Sequence, residues 1–101
     1  MTNQLLTTTE IRELASKLDL KPTKKLGQNF VTDPNTIRRI VAAAKLTGNE
    51  CVVEIGPGLG SLTLGLLEVA DSVISVEIDA KMAAALEQTI AKRAPDKNFT
   101  L

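Results

Sequence analysis

The stretch Val53-Glu54-Ile55-Gly56-Pro57-Gly58-Leu59-Gly60-Ser61-Leu62-Thr63 decides the fold of this chain. It opens with the end of a short apolar run, residues 51–55, whose length and flanking turn residues are typical of a buried parallel strand. The glycines follow at once, and residues 62–69 then show the apolar pattern of a helix. A glycine-rich turn between a strand and its helix lets a ligand approach the backbone and exposes amide groups at the helix N-terminus.

The glycine spacing excludes two common phosphate-binding loops. The third glycine of the dinucleotide fingerprint would stand where Ser61 is, and no Gly-Lys-Ser/Thr follows as a P-loop requires. A tight turn without a ligand is the alternative interpretation of such a cluster. The strand before the loop and the helix after it favour a ligand site formed by Gly56, Gly58 and Gly60.

Two acidic residues accompany this loop. Glu77 ends a second predicted strand, residues 72–77, about twenty residues downstream, where a carboxylate can accept hydrogen bonds from both hydroxyls of a ribose. A solvated strand end is the other interpretation of Glu77. Glu54 precedes the loop inside the first strand, and a buried carboxylate needs hydrogen-bond partners. Organising the loop and contacting an amino group of the ligand would both satisfy it.

Upstream, the sequence predicts two helices. Thr7 and Glu10 have the spacing of a capping box, which starts a helix that reaches about Leu18. Asp33 and Pro34 open the second helix as N-cap and first helical residue. Gly48 is predicted to end that helix, and its predicted buried stripe consists of Ile37, Ile40, Val41 and Ala44.

Downstream, residues 81–93 form a predicted helix, with Asp79 as its N-cap, and residues 98–101 begin a third strand. The order of strands and helices implies an α/β fold with a parallel sheet and right-handed crossovers. We expect residues 1–101 to be one truncated domain. Residues 1–48 carry its N-terminal helices and a loop, and residues 49–101 begin the sheet.

Composition limits the possible chemistry. The chain has 12 basic and 12 acidic residues, so net charge favours neither nucleic acid nor membrane. Most basic residues lie before Thr47, however, and such a basic edge would suit RNA. The single cysteine, Cys51, and the absence of histidine exclude an internal disulfide, a thiolate zinc cluster and Cys-His or Ser-His catalysis. These features predict a cytoplasmic protein with no metal and no membrane partner.

Physical reasoning alone does not separate NAD from S-adenosylmethionine as the ligand of this loop. The quoted stretch, with Val76-Glu77-Ile78-Asp79 downstream, resembles the first two cofactor motifs of class I methyltransferases. Together with Lys25-Leu26-Gly27-Gln28-Asn29-Phe30, it closely resembles the bacterial small-subunit ribosomal RNA adenine dimethyltransferases of the KsgA/RsmA type. The related erythromycin-resistance methyltransferases share Gln-Asn-Phe, but Gly-Pro-Gly-Leu-Gly-Ser-Leu-Thr fits the former branch better.

The resemblance implies a Rossmann-like fold, S-adenosylmethionine as cofactor, and dimethylation of adjacent adenosines near the 3′ end of 16S rRNA in the small ribosomal subunit. Gln28, Asn29 and Val31 would then contact the methionine end of the cofactor, although Gln28 and Asn29 are also ordinary loop residues. Gly56, Gly58 and Gly60 would line the cofactor, Glu77 would hold the ribose, and Ile78 would pack on the adenine. The remaining predicted contacts are Glu54 to the cofactor and Lys21, Lys24 and Lys25 to RNA phosphates, with a solvated basic loop as the alternative for the lysines.

The catalytic motif of that family, Asn-Leu/Ile-Pro-Tyr/Phe, does not occur in this sequence, which has no tyrosine or tryptophan. We therefore expect no catalytic residue among these 101 residues and no methyl transfer by them alone. Two other functions are compatible with the pattern: a non-catalytic RNA-binding module in ribosome assembly, and an NAD-dependent oxidoreductase. Ser61 and the Gln28-Asn29 loop disfavour the oxidoreductase.

Overall fold

A computed structural model of the protein describes residues 5–18 and 33–101. In chain order its elements are α1 (Thr8–Lys17), α2 (Pro34–Ala43), β1 (Cys51–Ile55), α3 (Ser61–Leu67), β2 (Ser72–Val76), α4 (Ala80–Arg93) and β3 (Phe99–Thr100). The strands form one parallel sheet in the order β1-β2-β3, so each strand pairs with its neighbour in sequence. This confirms the predicted parallel α/β fold.

The helices begin where side chains can cap them. Thr7 and Glu10 form the predicted capping box: the Glu10 N–H donates to Thr7 Oγ1 at 3.2 Å, and the Thr7 N–H donates to Glu10 Oε1 at 2.9 Å. Asp33 and Asp79 accept backbone N–H groups from the first turns of α2 and α4. These contacts satisfy amides that a helix start otherwise leaves without partners, and they confirm the predicted N-caps.

The predicted end of α2 at Gly48 is wrong. The helix ends at Ala43, and Lys45 takes a left-handed conformation with φ 54°. Gly48, with φ 100°, instead shapes the turn before β1, where its N–H donates to Glu50 Oε1 at 3.0 Å. Gly48 does form a turn, but this turn leads into β1 and does not end α2.

The buried stripe of α2 is narrower than predicted. Ile37 and Val41 are 1% and 6% exposed, whereas Ile40 is 41% exposed and Ala44 is exposed as well. A Cβ atom on Gly65 of α3 would lie 2.5 Å from Ile37 Cγ2 and 3.2 Å from Val41 Cγ2. The two helices therefore approach closely along one row of α2, which leaves Ile40 and Ala44 on its flank.

The sheet is covered on one face. Val73 and Ser75 of β2 are 0% and 1% exposed, and Glu54 of β1, paired with Ser75, is 8% exposed. On the other face Val53 and Ile55 are 60% and 76% exposed. The prediction of β1 as a buried strand is therefore wrong, since Glu54 is its one buried residue.

The covered face holds the core. Its fully buried side chains come from α2, α3, α4 and β2, and the largest are Ile37, Leu64, Leu67, Leu86 and Val73. The helix α1 joins this layer at the end of α4, where the Arg93 guanidinium pairs with Glu10 and donates to the Leu5 carbonyl at 3.3 Å. Within the described ranges, no helix is long and apolar enough to cross a membrane.

We predict that Gly65→Ala destabilises the protein. Alanine favours a helix over glycine by about 1 kcal/mol, but overpacking a filled core costs about 1–3 kcal/mol, and the β-branched Ile37 side chain cannot easily move away. Urea unfolding should show a lower free energy of unfolding. In the Ile37→Ala background the cost of Gly65→Ala should shrink, and an equal cost in both backgrounds would contradict the proposed contact.

Candidate functional site

The site lies at the carboxyl edge of the sheet, where β1 and β2 end side by side. Ile55 pairs with Val76, and the Gly56 N–H donates to the Val76 carbonyl at 2.9 Å. The residues that follow the two strands therefore meet at one edge. This is the position at which open parallel sheets bind ligands.

The glycine loop has an open beginning and a packed end. Gly56, Gly58 and Gly60 have φ of 71°, 61° and 100°, a region that favours glycine. A Cβ on Gly56 would meet no heavy atom within 4 Å, so the backbone is accessible there. A Cβ on Gly60, the N-cap of α3, would lie 2.7 Å from Leu86 Cδ1. The backbone of the loop is therefore accessible at Gly56 and packed against α4 at Gly60.

Glu77 contacts this loop directly. Its Oε1 accepts the Gly58 N–H at 3.4 Å, and its Oε2 accepts the Asp79 N–H at 3.1 Å. The structure therefore brings the predicted loop and the predicted strand-end carboxylate together. What they bind stays a prediction.

Glu54 finds its partners on the covered face of the sheet. Its Oε1 accepts hydrogen bonds from Thr63 Oγ1 at 2.5 Å and from Ser75 Oγ at 2.9 Å. Burial raises the pKa of the Glu54 carboxyl, while the two hydroxyl groups act in the opposite direction. The carboxylate thereby ties the first turn of α3 to both strands. Neither partner belongs to the glycine loop, so the predicted role of Glu54 in organising that loop stays a prediction. Contact with a ligand stays a prediction.

Sequence reasoning missed Thr63 and Ser75 as part of the site. Both are buried, at 0% and 1% exposure. A signal for Ser75 was present, because it is a polar residue inside an apolar strand and pairs with Glu54 in the register of β1 and β2. A buried polar residue beside a buried carboxylate is a candidate hydrogen-bond donor.

Ile78 follows Glu77 and is 98% exposed, so it presents an apolar surface beside the carboxylate.

Six further predicted site residues lie outside the described residues, namely Lys21, Lys24, Lys25, Gln28, Asn29 and Val31. Among residues 5–18 and 33–101, no group of three or more acidic or cysteine side chains could hold a metal ion.

Two carboxylates lie near the carboxyl ends of β1 and β2. Glu77 is part-buried beside the loop, and Glu54 is buried within β1 with only 8% exposure. A glycine loop between a parallel strand and a helix, with an acidic residue at the end of the next strand, is the arrangement of the Rossmann-like class of protein.

Comparison with known proteins narrows this class. A family model described as ribosomal RNA adenine dimethylase matches residues 19–101. The chain is 67% identical over 92 residues to the ribosomal RNA small subunit methyltransferase A of Corynebacterium glutamicum, covering 91% of the chain and 31% of that relative. It is 57% identical over 98 residues to the protein of the same name from Kineococcus radiotolerans, covering 96% and 33%.

Two solved structures share the fold. A dimethyladenosine transferase from Plasmodium falciparum matches with a TM-score of 0.63 and 31% identity, over 70% of this chain and 26% of that one. The 23S rRNA methyltransferase ErmE matches with a TM-score of 0.61 and 37% identity, over 70% and 29%. The chain belongs to the ribosomal RNA adenine dimethylase family and spans about a third of the length of the curated relatives it matches.

A second carboxylate near β1 provides a control for Glu54. Glu50 accepts the Thr47 N–H at 2.7 Å, the Thr47 hydroxyl at 2.8 Å and the Gly48 N–H at 3.0 Å. These bonds, the Thr47 backbone bond foremost, lower the pKa of Glu50 to about 2. The pKa values of Glu50 and Glu54 are thus shifted in opposite directions, although the two residues lie four positions apart.

We predict opposite pH effects from Glu54→Gln and Glu50→Gln. Because the pKa of Glu54 is raised in the folded state, Glu54 contributes to the free energy of unfolding below pH 4.5. That contribution is lost as pH rises from 4.5 through the raised pKa. Glu50 contributes above 4.5, and its contribution is lost as pH falls from 4.5 to about 2. Glu54→Gln keeps an oxygen acceptor and should gain melting temperature relative to wild type as pH rises. As pH rises from about 2 to 4.5, Glu50→Gln should lose melting temperature relative to wild type, and parallel curves for both variants would refute the assignment.

Proposed function

We propose that this chain provides the S-adenosylmethionine site of an enzyme that dimethylates adjacent adenosines near the 3′ end of small-subunit rRNA, in the cytoplasm, during assembly of the small ribosomal subunit. The observation that most supports this proposal is the contact between the Gly58 amide and the Glu77 carboxylate at the carboxyl edge of the sheet. Membership of the ribosomal RNA adenine dimethylase family supports the substrate class.

Glu77 is suited to hold the ribose of this cofactor. Each of its carboxylate oxygens accepts one backbone N–H, and a carboxylate has about four lone-pair sites in total. The remaining sites can accept the two hydroxyl groups of a ribose. Because the backbone bonds fix the carboxylate beforehand, little side-chain entropy is lost when the ligand binds.

The surroundings of Glu77 fit the other parts of the cofactor. Ile78 is almost wholly exposed, and an adenine ring that covered it would remove apolar surface from water. The accessible backbone at Gly56 permits close approach of the sulfonium-bearing chain. Gln28, Asn29 and Val31 are the proposed contacts to its methionine end, and Lys21, Lys24 and Lys25 the proposed contacts to RNA phosphates.

S-adenosylmethionine, when bound, supplies a methyl group activated by its sulfonium. The contribution of this chain is alignment and charge placement: Glu77 and the glycine loop hold the nucleoside, and the buried Glu54 carboxylate places negative charge near a cationic ligand. The target adenine must leave its base stack to reach the methyl carbon. No covalent intermediate with the protein is needed.

Calorimetric titration tests the cofactor. The chain should bind S-adenosylmethionine and should bind NAD more weakly, because Ser61 stands where the dinucleotide fingerprint requires its third glycine. Preference for NAD would overturn the proposal in favour of an oxidoreductase. Binding of small-subunit rRNA without either cofactor would favour a non-catalytic RNA-binding module.

We predict that Glu77→Ala weakens S-adenosylmethionine binding by about 1.5–3 kcal/mol, the usual cost of losing hydrogen bonds to a charged acceptor. Glu87→Ala is the matched control, since Glu87 is an exposed glutamate of α4. The dissociation constants of both variants and their melting temperatures should be compared. Unchanged affinity in a folded Glu77→Ala protein would remove Glu77 from the site.

A further inference from the structure

We propose that Leu86 of α4 is a positioning residue for the cofactor loop, which it supports from below without contacting the ligand. This inference rests on the proposed function and extends it to a residue outside the binding motifs. Leu86 is 0% exposed, and its Cδ1 atom lies where a Cβ on Gly60 would come within 2.7 Å. The leucine side chain therefore packs directly against the backbone at the end of the loop.

That end of the loop is held by backbone hydrogen bonds and by packing, and the Gly60 carbonyl accepts the Leu64 N–H at 2.9 Å. Gly60 caps α3 with no side-chain hydrogen bond, and its N–H donates to the Pro57 carbonyl at 3.1 Å within the loop. Leu59 anchors the middle of the loop, at 3% exposure. Because glycine has no side chain to pack, the position of Gly60 depends on the surface on which it rests.

The helix that carries Leu86 also carries the other half of the site. The Glu77 carboxylate accepts the N–H of Asp79, and Asp79 caps α4. Leu86 lies about two turns further along the same helix. One helix therefore contacts the Glu77 segment at its start and the loop at Leu86, so the packing of Leu86 helps to hold the two at the distance at which Gly58 and Glu77 meet.

The test compares two buried leucines that differ in position. Leu86→Val removes the Cδ atoms beneath the loop, and Leu67→Val makes the same change at a residue of 1% exposure at the far end of α3. Leu86→Met keeps the volume and is the conservative variant. For each protein we would measure the melting temperature, the affinity for S-adenosylmethionine, and hydrogen exchange at the Gly58 and Gly60 amides without ligand.

We expect Leu86→Val to weaken S-adenosylmethionine binding about fivefold, roughly the worth of one hydrogen bond. It should also speed exchange at both loop amides, and Leu86→Met should restore both properties. Leu67→Val should lower the melting temperature comparably and leave affinity and loop exchange unchanged. Equal behaviour of the two valine variants would overturn the inference.

The exchange measurement separates this inference from the proposed function. If the wild-type chain does not bind S-adenosylmethionine, the proposed function fails. Loop exchange in Leu86→Val then still decides whether Leu86 positions the loop, because it needs no ligand. Unchanged exchange at Gly58 and Gly60 would refute the positioning role whatever the loop binds.

Discussion

The buried carboxylate of Glu54 is the constraint on which the rest of this structure depends. Its Oε1 atom accepts hydrogen bonds from the hydroxyl groups of Thr63 and Ser75, so one atom joins β1, the start of α3 and β2. A carboxylate in an apolar layer is costly unless such bonds satisfy it. Any packing of these elements that separated the three side chains would leave a charge without partners, which strongly restricts how the helix can lie on the sheet.

This restriction reaches the site because the three residues stand close to it in sequence. Glu54 lies two residues before Gly56, and Ser75 lies two residues before Glu77. Fixing the covered face of the sheet therefore also fixes where the strands end. The Gly58 amide and the Glu77 carboxylate meet at that edge because the layer beneath them is pinned, and Leu86 adds support from the neighbouring helix.

Much of the fold could be predicted from local chemistry. The caps at Thr7, Asp33 and Asp79 depend on a few adjacent residues, and the strands depend on short apolar runs, so each signal is complete within its own segment. The proximity of the glycine loop and Glu77 followed from parallel topology. The errors concern what local sequence does not contain. The width of the buried stripe on α2 depends on Gly65 of another helix.

The exposure of Val53 and Ile55 likewise depends on which face of the sheet the helices cover, and an apolar run in β1 alone cannot show this. Glu54 was recognised as a residue that needs partners, but Thr63 and Ser75 became identifiable only with the register of β1 against β2. The types of the site residues and their order along the chain could thus be predicted, whereas tertiary packing determines which of them are in contact.

The position of Cys51 has a practical consequence. It is the chain's single cysteine, it begins β1, and its thiol is free and exposed. It lies roughly 13 Å from the end of that strand, at about 3.3 Å per residue, and so at the opposite end from the glycine loop. A thiol-reactive fluorophore would attach at this one place without mutagenesis, and its emission would report on the integrity of the sheet while leaving the ligand's approach unobstructed.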